Sequence, residues 1–150
     1  MINDQLYMRV ALDQAQLAAG DGEVPIGAVI VRDGKLLAVN RNRREELKDA
    51  TAHAEVLVIR EAGSILGGWR LPGCTLYVTL EPCPMCAGAM VQARIDRLVF
   101  GAADPKGGAA GTLYDLVRDS RLNHRMEVTG GVLEAECARL LQDFFKERRD

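Results

Sequence analysis

Residues 74–92 read CTLYVTLEPCPMCAGAMVQ. The first seven are apolar or uncharged and rich in strand-forming types, the pattern of a strand buried on both faces. The stretch from about Pro82 to Gln92 reads as a short helix. Pro82 and Pro84 suit its start, where the first N–H groups have no intrahelical partner to lose. A buried strand running into a helix predicts helices layered on a sheet.

The same pattern extends outward on both sides. Upstream, Asn3 is positioned to cap a first helix with Leu6, Val10 and Leu17 on one face, ending near Gly20. After the break at DGEVP, residues 21–25, GAVIVR and KLLAVNRN flank Asp33-Gly34, a hairpin signature. A polar loop, RREELKDA, leads to a helix expected from about Thr51 to Ala62, with Thr51 as its cap. GSILGGWRLPG reads as a glycine-rich loop. Downstream, IDRLVFGA is a further strand and DPKGGAAGT a loop. LYDLVRD suggests a turn of helix, MEVTGGVL a weaker strand, and AECARLLQDFFKERR a closing amphipathic helix. The prediction is one α/β domain over residues 1–150: a three-layer α/β/α arrangement whose hairpin makes the sheet mixed.

Composition bounds the function. The chain has 150 residues, 48% hydrophobic and 27% charged, with a formal net charge of −2. That is an ordinary globular balance. It does not advertise nucleic-acid binding, although local charge can still provide it. No apolar run reaches the roughly 18 residues of a membrane span. The acidic N-terminal stretch lacks a secretory pattern, so the expected location is the cytoplasm and the expected state of the four cysteines is reduced.

Two of those cysteines, Cys83 and Cys86, are three apart and share a face if they lie on the first turn of a helix. With a distant imidazole they make a three-ligand zinc set, and a helix N-terminus favours their thiolate forms. His53, in TAHAEV at 51–56, is that imidazole. Glu55 follows two residues later, about 200° around a helix, so it can flank the same metal only if the helix points its end at the site. Three protein ligands leave a position for water, and a nearby carboxylate can move that water's proton. HAE at 53–55 with PCPMC at 82–86 matches the H-x-E…P-C-x-x-C signature of zinc nucleobase deaminases. A C-x-x-C alone more often marks a structural zinc half-site or a redox pair. Neither alternative explains the H-x-E, and Cys74, Cys137 and His124 have no paired spacing that supplies a fourth ligand. Cys74 and Cys137 read as plain buried thiols.

Almost the whole chain resembles the bacterial tRNA-specific adenosine deaminases of the cytidine-deaminase-like superfamily. The resemblance rests on EVPIGAVIV, TAHAEV, TLYVTLEPCPMCAGAMVQARIDRLVFGAADPKGGAAGT, LNHR and GVLEAECARLLQDFFKERR. It implies a mixed five-stranded sheet between helices, a homodimer, and deamination of the wobble adenosine of a tRNA anticodon, here expected to be an arginine tRNA. It places His53, Cys83 and Cys86 as zinc ligands and Glu55 as proton shuttle to N1 while a zinc-activated water attacks C6. It places Asn42 on the flipped base, and Val24, Pro25 and Ile26 in the pocket wall. The loop from Asp104 to Gly111, with Lys106, is placed against nucleotides flanking the target, and Asn123 is a further substrate contact. Basic residues cluster at Arg41, Arg43 and Arg44, at Arg118, Arg121 and Arg125, and at Lys146, Arg148 and Arg149. Such runs are usually solvated faces, but converging on the pocket they would form an RNA track. Phe144 and Phe145 could stack bases, although one of such a pair is usually core. Two positions depart from the family pattern: Ala50 stands where proline often precedes TAHAE, and Thr112 stands where serine is common. The runner-up is a zinc deaminase of a free base, nucleoside or nucleotide, such as guanine or cytidine.

Overall fold

In the computed structural model, which describes residues 3–148, the strand at the heart of the opening stretch is β3 (Cys74–Leu80). It is flanked by β1 (Gly27–Arg32) and β4 (Arg97–Ala102). β2 (Lys35–Arg41) and the three-residue β5 (Glu127–Thr129) form the edges, giving the order β2-β1-β3-β4-β5. β1 runs antiparallel to both β2 and β3, while β3, β4 and β5 are mutually parallel. The sheet is therefore mixed. Asp33 and Gly34 both take positive φ, 51° and 74°, the conformation that joins two strands by a two-residue turn.

Period-two alternation divides the core into two layers. Ala28, Ile30, Leu76, Val78 and Leu98 face α3 (Ala54–Leu66) and α4 (Pro84–Ala93). Val29, Val31, Tyr77 and Val99 face the opposite layer, built from α1 (Asp4–Gly20) and α5 (Glu134–Glu147). The result is the three-layer α/β/α arrangement. α1 crosses β1 closely: a Cβ on Gly27 would lie 2.0 Å from the Ala11 carbonyl oxygen, so only glycine fits. Asp4 fastens the start of α1 to the sheet. It accepts two hydrogen bonds from Arg97 and one from Tyr77, each 2.8 Å.

Local details differ from the sequence expectation. α1 buries Met8, Ala11, Leu12, Ala15 and Ala18, whereas Leu6 and Leu17 are exposed. The small alanines win the inner face because the helix lies so near β1. Asn3 occupies the N-cap without a side-chain bond. RREELKDA contains a four-residue helix, α2 (Arg44–Leu47). α3 starts at Ala54, not Thr51, and continues through GSIL to a left-handed Gly67. Thr51 bonds Asp49 instead of capping α3. LYDLVRD forms no helix; its one ladder contact is a bridge between Ala110 and Asp115.

Candidate active site

The residue that caps α4 is Cys83, in extended conformation, followed by Pro84 at the first helical position. This places Cys86 in the first turn, fully buried. On the neighbouring helix the N-cap is His53, also extended, and Glu55 lies in the first turn of α3. Two helix N-termini thus converge, and their unpaired N–H groups favour negative charge between them. His53 Nδ1 stands 3.7 Å from Cys83 Sγ and 3.5 Å from Cys86 Sγ. All three donor atoms lie within 4.8 Å of one another, and they form the one potential metal-binding group among the described residues.

The electrostatics suit a cation. The Cys83 thiol is pushed down to about 4, first by the hydrogen bond from Cys86 and then by His53. The Cys86 thiol is raised, chiefly by its hydrogen bond to Cys83 and then by burial. His53 is raised, chiefly by its bond to Cys83. One imidazole nitrogen and two sulfurs are a donor set that zinc prefers. Glu55 is 4% exposed, and burial pushes its carboxyl up to about 7. Its Oε1 is the sole buried side-chain nitrogen or oxygen among the described residues without a hydrogen-bond partner. In a folded core such an atom is costly unless it faces something else that is polar. The residues present therefore fit a zinc centre with an adjacent proton carrier.

Buried polar side chains build the rim. Asn42 Oδ1 accepts the Ala54 N–H at 2.8 Å, capping α3 and leaving its NH₂ group available. Glu23 accepts from the backbone N–H groups of Glu45 and Glu46, which holds α2 in place. Glu81 accepts from the N–H groups of Asp104, Ala110 and Thr112 and from the Thr112 hydroxyl. Burial alone would raise the Glu81 carboxyl, but Thr112 and the three backbone donors together hold it below the usual range. Sequence reasoning assigned no role to Glu23 or Glu81. The available signal was a lone acid within an apolar run, as in TLYVTLEPC, because such an acid must be exposed or fully partnered.

A MafB19-like deaminase family model matches residues 2–149. The tRNA-specific adenosine deaminase of Bacillus subtilis is 56% identical over 149 residues, covering 99% of this chain and 92% of that protein. The chain belongs to the tRNA-specific adenosine deaminase family. A solved structure from studies of A-to-I editing by tRNA:A34 deaminases superposes with a TM-score of 0.88 at 50% identity, covering 91% of this chain and 99% of that one. A guanine deaminase from Nitrosomonas europaea shares the fold with a TM-score of 0.82 but only 25% identity, over 96% of this chain and 85% of that one. The free-base alternative is accordingly not favoured.

Against this tRNA-deaminase background, the other residues singled out from the sequence fall in three places. Asn42 sits at the mouth of α3. Val24, Asp104 and Lys106 line a groove of about 1000 Å³ together with Phe145, Lys146 and Arg148, and Pro25 is buried beside Val24. Asn123 is exposed in the loop entering β5. Its neighbour His124 meets the Ile95 carbonyl, and Arg97 pairs with Glu127, at the start of β4. The cysteines adjoin the other end, where the Glu81 N–H bonds Ala102. Five strand residues, about 17 Å, separate those ends, so the structure does not bring Asn123 to the triad. The first two basic clusters are partly neutralised: Arg41 pairs with Asp21, Arg43 with Glu46, Arg118 with Asp115 and Arg121 with Asp119. Arg149 lies outside the described residues. Phe144 is core and Phe145 exposed. Cys74 and Cys137 are buried thiols, the latter pushed up to about 12 by burial.

Proposed function

We propose that this chain hydrolyses the wobble adenosine of a tRNA anticodon loop to inosine, releasing ammonia. The observation that carries the mechanism is the partnerless Glu55 oxygen beside the His53, Cys83 and Cys86 donors. Zinc held by those three side chains supplies the Lewis acidity that lowers the pKa of a water to about 7. Glu55 takes the proton of the attacking water and delivers it to N1 of the purine. A second proton, passed through the same carboxylate, leaves with the amine. A carboxyl near neutrality is matched to both transfers.

Substrate binding is assigned to the rim. Asn42 offers its NH₂ group to the base, because its oxygen is committed to Ala54. Val24 and Pro25 wall the pocket. Asp104 and Lys106 meet the flanking nucleotides along the groove, where Phe145 supplies a stacking face and Lys146 and Arg148 supply positive charge. Asn123, exposed at the far end of β4, is proposed to contact the RNA away from the target base. The wobble position of an arginine tRNA is the proposed target. A homodimer is proposed as the family resemblance implies, which sedimentation would test. No helix among the described residues is long and apolar enough to cross a membrane, and reduced thiols at the site suit the cytoplasm.

The deciding experiment presents zinc-loaded protein with an arginine-tRNA anticodon stem-loop bearing the wobble adenosine and, in parallel, with adenosine, adenine, cytidine and guanine. Inosine in the stem-loop, read by nuclease digestion and mass spectrometry, with little ammonia from the panel, is expected. Turnover of a free base with an untouched stem-loop would overturn the substrate assignment.

A further inference from the structure

Four hydrogen bonds converge on one carboxylate next to the metal-binding cysteines. Glu81 Oε1 accepts from the Asp104 N–H at 3.0 Å and from the Thr112 hydroxyl. Oε2 accepts from the N–H groups of Ala110 at 2.9 Å and Thr112 at 3.1 Å. The side chain is 2% exposed. The loop passes directly over it: a Cβ on Gly108 would lie 2.4 Å from the carboxyl group. The next residue, Ala109, donates its N–H to the Pro82 carbonyl at 2.8 Å. The 104–112 loop is therefore wrapped around a single side chain, and that side chain stands two residues before Cys83.

The geometry points to Glu81 as the positioning residue that fixes the 104–112 loop relative to the metal-binding cysteines and so seats the RNA flanking the target base. The seating rests on the tRNA reading above; the anchoring of the loop does not. Glu81 makes no contact with the base. It acts through Asp104 and Lys106, which it holds at the groove. A carboxylate is needed because both oxygens must accept. In a glutamine, whichever way the amide turns, at least one backbone N–H faces an amide N–H. That donor is left unsatisfied in a buried place.

The test compares wild type with Glu81→Gln, both zinc-loaded. Amide hydrogen exchange at Asp104, Ala110 and Thr112 is expected to quicken by about tenfold or more in the variant while β3 and β4 stay protected. Zinc stoichiometry should be unchanged. On the stem-loop, KM should rise by about tenfold, with kcat falling less. A variant that loses thermal stability but keeps loop protection and KM would overturn the proposal, since its role would then be structural only. If Glu81→Gln fails to fold, Thr112→Val removes the hydroxyl contact to the carboxylate while keeping the backbone one, and Thr112→Ser retains the hydroxyl. The proposal requires loss in the first and rescue in the second. If wild type leaves the stem-loop untouched, the tRNA reading fails, and the exchange measurement still decides whether Glu81 anchors the loop.

Discussion

A buried carboxylate oxygen with no donor costs free energy that a packed core does not ordinarily bear, and Glu55 Oε1 is such an atom. The burial that makes it costly also keeps its carboxyl near neutrality, where a proton is held and released with equal ease. Glu55→Gln is expected to bind zinc normally and unfold at a similar temperature, while kcat falls by about a hundredfold to ten-thousandfold, the usual share of a positioned acid–base group. Metal analysis and single-turnover kinetics on the stem-loop check this; undiminished turnover would remove Glu55 from the mechanism. The set His53, Cys83, Cys86 and Glu55 was legible because coordination and proton transfer demand particular side chains at particular spacings. Glu81 and Glu23 were not, because their partners are backbone N–H groups of distant loops, and any residue can supply those.

At the scale of elements, the attachment of α1 depends on Asp4, which bridges Arg97 on β4 and Tyr77 on β3. The Arg97 hydrogen bonds hold the Asp4 carboxyl below its ordinary 3.8, against the opposing effect of burial. A depressed folded-state pKa means that the stabilisation is complete above the unfolded value and is lost as pH falls through the lower folded value. Asp4→Asn is expected to cost about 2 kcal/mol near neutrality, the scale of hydrogen bonds to a charged group. The gap should narrow below the unfolded value of 3.8. Urea melts of both proteins at neutral and acid pH check the sign; a gap independent of pH would show that the charge is not what matters. Element types were mostly readable from period and turn chemistry, whereas faces and ends were less so. The Leu6 and Leu17 stripe gave way to a face of Met8, Leu12 and alanines, with the small Ala11 and Ala15 where α1 crosses Gly27. α3 ran past its expected end, through Gly63, to the left-handed stop that Gly67 supplies.

For the whole molecule, the metal centre joins α3 to α4, the two helices of one layer. A ligand that binds only the folded chain stabilises it by mass action, by about 4 kcal/mol at a thousandfold excess over Kd. Chelation should therefore lower the midpoint of thermal unfolding by roughly 8–16 °C, and added zinc should restore it, in Glu55→Gln as well as wild type. An unchanged melting curve would mean that the three side chains hold no metal. The mixed sheet and its layers could be anticipated because strand, helix and hairpin signals alternate along the chain. The location of Asn123 could not be, because the course of the 103–126 loop is set by pairings such as Met126 with Val117 that leave no periodic trace.

One pairing has a kinetic consequence. β1 and β2 meet across a two-residue turn, and β3 and β4 across one short helix, but Ala28 meets Val78 only after about 50 residues of chain. Closing that span carries the largest loop entropy between consecutive partners in the sheet, so it is expected to form late in folding. The enclosed segment contains α3 and its N-cap, His53. If β1 zips to β3 late, the imidazole is expected to reach the cysteines late as well, and the chemistry is assembled near the end of folding. Val78→Ala should accordingly speed unfolding more than it slows refolding, and the reverse in a chevron plot would place this pairing early.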